Sequence, residues 1–188
     1  MRFWEKWCVR MAEIKADVIL LTVTDVEAQT LLDLAENRFG RNCKTPHFSE
    51  RMAYYDFGNV GHARTLMVRS EMGSTDPDGS LATVQECINL FNPDVVISVG
   101  IAFGIDEEKQ KIGQVLVSKQ LHPYDLQRIG QDELGKIKII SRGPKVDTPV
   151  SVLSRFRAGA LEWKGGDVKF GLMLSGSKLV DNRDYREM

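Results

Sequence analysis

Glu27 follows the apolar run Val18-Ile-Leu-Leu-Thr-Val23 at the end of the segment Thr24-Asp25-Val26-Glu27, and it is the first candidate for a catalytic group. In an open α/β sheet, ligands bind beyond the carboxyl ends of the strands. This segment and the loop Gly100-Ile-Ala-Phe-Gly104 should therefore meet on one rim, where a carboxylate can orient water or move a proton. The same Thr-x-x-Glu spacing is also a capping box, which satisfies the free amides at the start of a helix. Spacing alone leaves both roles open. The small residues of Gly100–Gly104 would let a flat ligand lie close to the backbone. The loop has neither the GxGxxG spacing of a dinucleotide site nor the Lys-Ser/Thr of a phosphate loop. His47, His62 and His122 occur at no ligand spacing, so no metal site and no cofactor is expected.

The elements that must position these residues are legible from periodicity. Asp17 to Thr24 reads as a strand buried on both faces. Ala28, Leu31, Leu32 and Ala35 then recur at helical spacing. Met52 to Phe57 and Arg64 to Arg69 read as antiparallel strands joined through Gly58-Asn-Val-Gly-His62. The turn-rich Gly73–Gly79 leads to a helix with Leu81, Val84, Cys87, Ile88 and Phe91 on one face, ended by Asn92-Pro93. Asp94 to Gly100 is a second apolar strand, so strand, helix and strand form a crossover unit and a doubly wound sheet is expected. Gln114 to Ser118 and Lys136 to Ser141 read as strands, and Pro149 to Ala160 as a helix with Val152, Leu153 and Phe156 inward. Val168 to Leu174 reads as a last buried strand, running into Gly176-Ser-Lys-Leu-Val180. Glu107 to Lys111 is a solvated charged loop, and no internal repeat or low-complexity linker divides the chain.

Composition narrows the class. Apolar content of 43% and charged content of 27% exclude disordered and fibrous classes, and 188 residues suit one α/β domain. With 25 basic and 26 acidic residues the net charge is −1, which disfavours a nucleic-acid partner or an anionic membrane surface. Cys8, Cys43 and Cys87 are odd in number and far apart, as expected of a reduced, cytoplasmic protein without structural zinc. No run of about 18 apolar residues exists to span a membrane. Residues 1–15, with Trp4 and Trp7 among charges, read as an N-terminal extension able to form a short amphipathic helix.

Six segments in order carry a resemblance: Val18 to Glu27, Met72-Gly-Ser74, Phe91-Asn-Pro-Asp94, Val99 to Asp106, Ile112 to Ser118 and Leu174-Ser-Gly-Ser177. Together they resemble the nucleoside phosphorylase superfamily, most closely the methylthioadenosine/S-adenosylhomocysteine nucleosidases and similar domains of bacterial signalling and defence proteins. The resemblance runs from about Asp17 to the C-terminus. It implies a three-layer fold with a mixed twisted sheet flanked by helices, over residues 16–188, and cleavage of the N-glycosidic bond between a purine and a ribose. Glu27 is implied as the group that positions and activates water. Gly100, Ile101, Ala102, Phe103 and Gly104 are implied as pocket residues, with Ile101 standing where many relatives have Ser. Leu179 and Val180 are implied as the base pocket, with plain core burial as their alternative. The phosphorylases usually place an Arg before the glycine loop. This chain reads Val95-Val-Ile-Ser-Val99 there, which favours water over phosphate.

The implied mechanism is dissociative: the ribose gains oxocarbenium character while an acid protonates the departing base. The family's ribose-binding Glu-Met-Glu-Gly segment and its acid-bearing Ser-Asp segment have no counterpart before Met188, so the domain is expected to be incomplete at its C-terminus and impaired as an enzyme. Expected partners are a purine nucleoside or nucleotide and a second copy in a homodimer, or a larger assembly. Two other readings stand beside this one. One is a non-catalytic nucleotide-sensing or interaction module using the same pocket, and the other is a flavodoxin-type nucleotide binder with phosphate contacts at Thr22 to Asp25.

Overall fold

The computed structural model describes residues 14–40, 42–49, 51–74, 76–104 and 108–176. The backbone divides into two compact units, Met1–Ile101 and Ala102–Met188. The first holds β1 (Val18–Thr22), α1 (Asp25–Phe39), β2 (His47–Phe48), β3 (Ala53–Val60), β4 (Ala63–Arg69), α2 (Ser80–Phe91) and β5 (Val95–Ser98). Its five strands lie in the order β2-β3-β4-β1-β5. β1 is parallel to β4 on one side and β5 on the other, while β3 runs antiparallel to β4. The chain moves out from β1 in one direction and returns to its other side, which makes the carboxyl end of β1 a topological switch point.

β1 is apolar throughout because both of its faces are covered. Strand alternation sends Ile19 and Leu21 to one face with Leu66 and Val68, where they pack with Tyr54 and with Cys87 and Phe91 of α2. Leu20 and Met67 go to the other face, against Ala28, Leu32 and Ala35 of α1 and against Phe57. Helices on both faces of this sheet meet the α/β expectation. α2 departs from the sequence reading in detail: Cys87 and Phe91 are buried with Val84 against them, but Leu81 and Ile88 are 66% and 45% exposed. Positions 84, 87 and 91 form the inward stripe, and Ile88 turns about 100° away from Cys87. The β3–β4 hairpin closes through Gly61-His62, where Gly61 takes φ 63, the left-handed start that a two-residue hairpin turn favours. β5 is only half-buried because it is an edge strand of this sheet.

The second unit contains β6 (Val115–Pro123), β7 (Gln127–Gln131), β8 (Ile137–Ser141), β9 (Val146–Asp147), α3 (Val150–Glu162) and β10 (Val168–Ser175). β10 is parallel to β6, and β9 is antiparallel to it, in the order β10-β6-β9. β7 and β8 form a separate antiparallel hairpin with Ile129 opposite Ile139. Its turn is organised by Asp132, whose Oδ1 accepts from the amides of Leu134 at 2.9 Å and Lys136 at 2.8 Å. Two expectations fail here. β10 is largely exposed, because among the described residues it is an edge strand paired only with β6. On α3, Leu153 is buried and Phe156 stays 36% exposed. Of the charged loop, Glu108, Lys109 and Lys111 are exposed as expected. Among the described residues no helix is long and apolar enough to cross a membrane.

Phe91 lies 2% exposed, edge-on to the Tyr54 ring at 5.1 Å between centroids. Phe91→Ala should lower the unfolding free energy of this unit by about 3–5 kcal/mol, read as a shifted urea midpoint. A shift under about 1 kcal/mol would mean that the ring is not part of the core.

Candidate functional site

The end of β1 and the start of α1 are built around one side chain. Thr24 is the N-cap of α1, and its hydroxyl accepts from the Glu27 amide at 3.3 Å. Glu27 replies through Oε2, which accepts from the amides of Thr24 at 2.9 Å and Val23 at 3.3 Å. The capping box read from the spacing is therefore formed. The other oxygen does something else: Oε1 accepts from the amide of Ile101 at 2.8 Å. Ile101 is held within reach because β5 runs parallel to β1 in register, Leu21 opposite Ser98, with the Val99 amide on the Leu21 carbonyl at 2.8 Å. The candidate carboxylate and the start of the glycine loop thus meet on the rim, as the sequence implies.

Gly100 makes this approach possible. A Cβ on it would stand 2.6 Å from Oε1 of Glu27, closer than real side chains come, and 3.1 Å from its Cδ. Two opposed effects set the charge state of Glu27. Partial burial, the largest single influence, pushes its pKa up. The Thr24 and Ile101 amides, the Thr24 hydroxyl and the Val23 amide together outweigh it and hold the carboxyl below its ordinary value. Glu27 is accordingly ionised at neutral pH, and its position in the first turn of α1 adds the favourable end of the helix dipole. A carboxylate offers about four lone-pair directions, and three are occupied by backbone amides. The Thr24 hydroxyl faces the carboxylate as well.

The other expected residues divide. Gly100 and Ile101 belong to the unit that contains Glu27, and the Ile101 side chain is 77% exposed. Ala102, Phe103 and Gly104 belong to the second unit, where Phe103 is 70% exposed and Gly104 lies close against Gln110. Leu179 and Val180 lie outside the described residues. His122, given no role, has its Nε2 3.0 Å from the Ser141 hydroxyl. Among the described residues no group of three or more His, Cys, Asp or Glu could hold a metal ion.

Sequence reasoning missed Arg69, at the end of β4. Its Nε donates to the Val23 carbonyl at 3.2 Å, and its guanidinium lies 2.7 Å from Asp25 and 3.5 Å from Glu71. Its only sequence signal is position, a basic residue at the carboxyl end of a strand. A groove of about 1050 Å³ opens beside it, lined by Asp25, Gln29, Arg51, Tyr55, Arg69 and Glu71 among others. Glu27 and Gly100 are not part of that groove, so its size says nothing about the carboxylate.

A family model described as the phosphorylase superfamily matches residues 17–178. The chain belongs to that superfamily. A Death domain-containing ATP nucleosidase of Amphimedon queenslandica is 25% identical over 191 residues, covering 90% of this chain and 35% of its own length. A 5'-methylthioadenosine/S-adenosylhomocysteine nucleosidase of Staphylococcus epidermidis is 27% identical over 132 residues, covering 69% of this chain and 54% of its own. The chain thus spans about a third of the first relative and about half of the second. Among solved structures, a 5'-methylthioadenosine/S-adenosyl homocysteine nucleosidase of Helicobacter pylori matches with TM-score 0.68 at 20% identity, over 94% of this chain and 70% of that one. A futalosine hydrolase mutant from the same organism gives 0.68 at 18% identity, over 94% and 75%. At these identities the structures establish the fold, an α/β arrangement of mixed sheets with flanking helices.

Two outcomes test the site. Gly100→Ala should force the Glu27 carboxylate off the Ile101 amide and speed that amide's hydrogen exchange on the order of tenfold or more, as expected for losing a hydrogen bond to a charged acceptor. Unchanged protection would show that the carboxylate yields without losing the bond. The folded pKa of Glu27 lies below its unfolded value, so its contribution to stability is full above the unfolded pKa and is lost as pH falls through the folded one. The stability gap between the wild-type chain and Glu27→Gln should therefore narrow as urea unfolding is followed from about pH 7 to about pH 3.

Proposed function

We propose that this chain carries the water side of a purine nucleosidase site and hydrolyses the N-glycosidic bond of an adenine nucleoside or nucleotide. The observation that carries this reading is the Glu27 carboxylate, fixed by amides from the end of β1 and from Ile101 at the switch point of the sheet. Two relatives bearing the name nucleosidase support the reaction class. Such cleavage proceeds through a ribose with oxocarbenium character. A carboxylate held ionised is a weak base, suited to orient water and to accept the proton only as the cationic sugar captures that water. The same negative charge stabilises the positive charge developing on the ribose. Gly100 admits this geometry, and the exposed Ile101 side chain offers apolar surface beside it. The reaction also needs an acid to protonate the departing base, a role given to no described residue.

In this reading residues 16–188 form the nucleosidase-like domain after an N-terminal extension, and Ala102, Phe103, Gly104, Leu179 and Val180 belong to the nucleoside pocket. A homodimer or larger assembly and a cytoplasmic setting complete the proposal. Cys87, a buried free thiol, fits a reducing compartment.

One observation favours a second reading. The Glu27 carboxylate is taken up by amides of Val23, Thr24 and Ile101, as it would be in a binding module where it only ties these segments together. The deciding experiment incubates the protein expressed from its full reading frame with methylthioadenosine, adenosylhomocysteine, adenosine and ATP, and follows adenine by chromatography. Adenine release that Glu27→Gln reduces by about 10²–10⁴-fold supports hydrolysis. Tight binding of one of these ligands with no base released overturns it in favour of a sensing module.

A further inference from the structure

The turn that carries Glu27 is held from two sides. On its amide side, Val23 and Thr24 donate to the carboxylate of Glu27. On its carbonyl side, the Val23 oxygen accepts from Nε of Arg69 at 3.2 Å. The same guanidinium meets Asp25 Oδ1 at 2.7 Å, two residues further along the turn and two before Glu27. Its remaining nitrogen lies 3.5 Å from Glu71 on its own strand's extension. The backbone repeats the clasp, since Arg69 is in register with Thr22 and the Ser70 amide donates to the Thr22 carbonyl at 3.0 Å. An arginine side chain has donors in a rigid planar fork and can bind a carbonyl and a carboxylate in different directions at once. A lysine has the charge without the fork.

We infer that Arg69 is a positioning residue for Glu27: its fork fixes the Val23-Thr24-Asp25 turn and so aims the Glu27 carboxylate at the Ile101 amide. The inference rests on the proposed role of Glu27 as the water-orienting group, yet it makes a claim about geometry that is measurable without substrate. A merely structural Arg69 would stabilise the sheet end and leave the carboxylate where it is. A merely electrostatic one would act through its charge, and a lysine would replace it.

The test uses the 188-residue chain with Arg69→Met and Arg69→Lys, without ligand. Carbon-detected NMR follows the titration of the Glu27 carboxyl, and hydrogen exchange follows the Ile101 amide, with the Ile19 and Leu66 amides of the core as references. In Arg69→Met the carboxyl should titrate higher, toward the ordinary 4.5 of a glutamate. The Ile101 amide should exchange on the order of tenfold faster while the core amides hold. Arg69→Lys should recover only part of both changes. No change in Arg69→Met, or full recovery in Arg69→Lys, overturns the inference. If Arg69→Met also loosens the core amides, Arg69→Lys decides alone: wild-type values at Glu27 and Ile101 reject the fork, and displaced values support it. Because neither readout needs catalysis, a protein that releases no base can still show the coupling, and an active one can still lack it.

Discussion

Everything on the candidate rim depends on one desolvation problem and its solution. A carboxylate that is partly removed from water is costly unless hydrogen bonds replace the lost hydration. Glu27 obtains them from three backbone amides, two at the end of β1 and one beyond β5. Main-chain amides cannot rotate away as side-chain donors can, so the charge is held where the strands put it. Electrostatic preorganisation of this kind costs no rearrangement when charge develops nearby.

The cost falls on the architecture. For the Ile101 amide to reach Oε1, β5 must lie beside β1 in one register and no other. A one-residue slip would send every side chain of the strand to the opposite face. The core prevents it: Ile19 and Leu21 are committed to the face of α2, and Leu20 to the face of α1. Packing far from the rim therefore sets the position of a carboxylate to within a hydrogen-bond length. Gly100 completes the arrangement by leaving out an atom.

Much of the first unit could be read from residues because two strong periodicities agree there. The β-branched and leucine-rich run of β1 and the spacing of Ala28, Leu32 and Ala35 gave the strand and helix that carry Glu27. Of the two roles weighed for Glu27, the cap is formed through Oε2, while Oε1 makes a bridge to Ile101 that the spacing did not offer. Spacing could reveal only the local half, because the other partner is 74 residues away in sequence. Arg69 was illegible for the same reason, since its contacts with Val23 and Asp25 come from the pairing of β4 with β1. β7, with the sequence Gln127-Arg-Ile-Gly-Gln131, has too little apolar alternation to announce itself and owes its form to the Asp132 turn and to pairing with β8. Exposure of β10 was misjudged because an apolar run reports what a strand could bury, while sheet order decides what covers it.

The β7–β8 hairpin has a consequence for handling the protein. Ile129 and Ile137 are 71% and 75% exposed, Ile139 and Ile140 each 41%, and among the described residues the strands pair only with each other, leaving both outer edges open. A short, β-branched segment with open edges is a template for pairing with further chains. Lys136 and Lys138 interrupt the segment at alternate positions and act as charge gatekeepers, whose mutual repulsion opposes stacking of identical strands. Self-association through this hairpin is therefore opposed by these two lysines, and high salt, which screens them, is the condition under which it should begin.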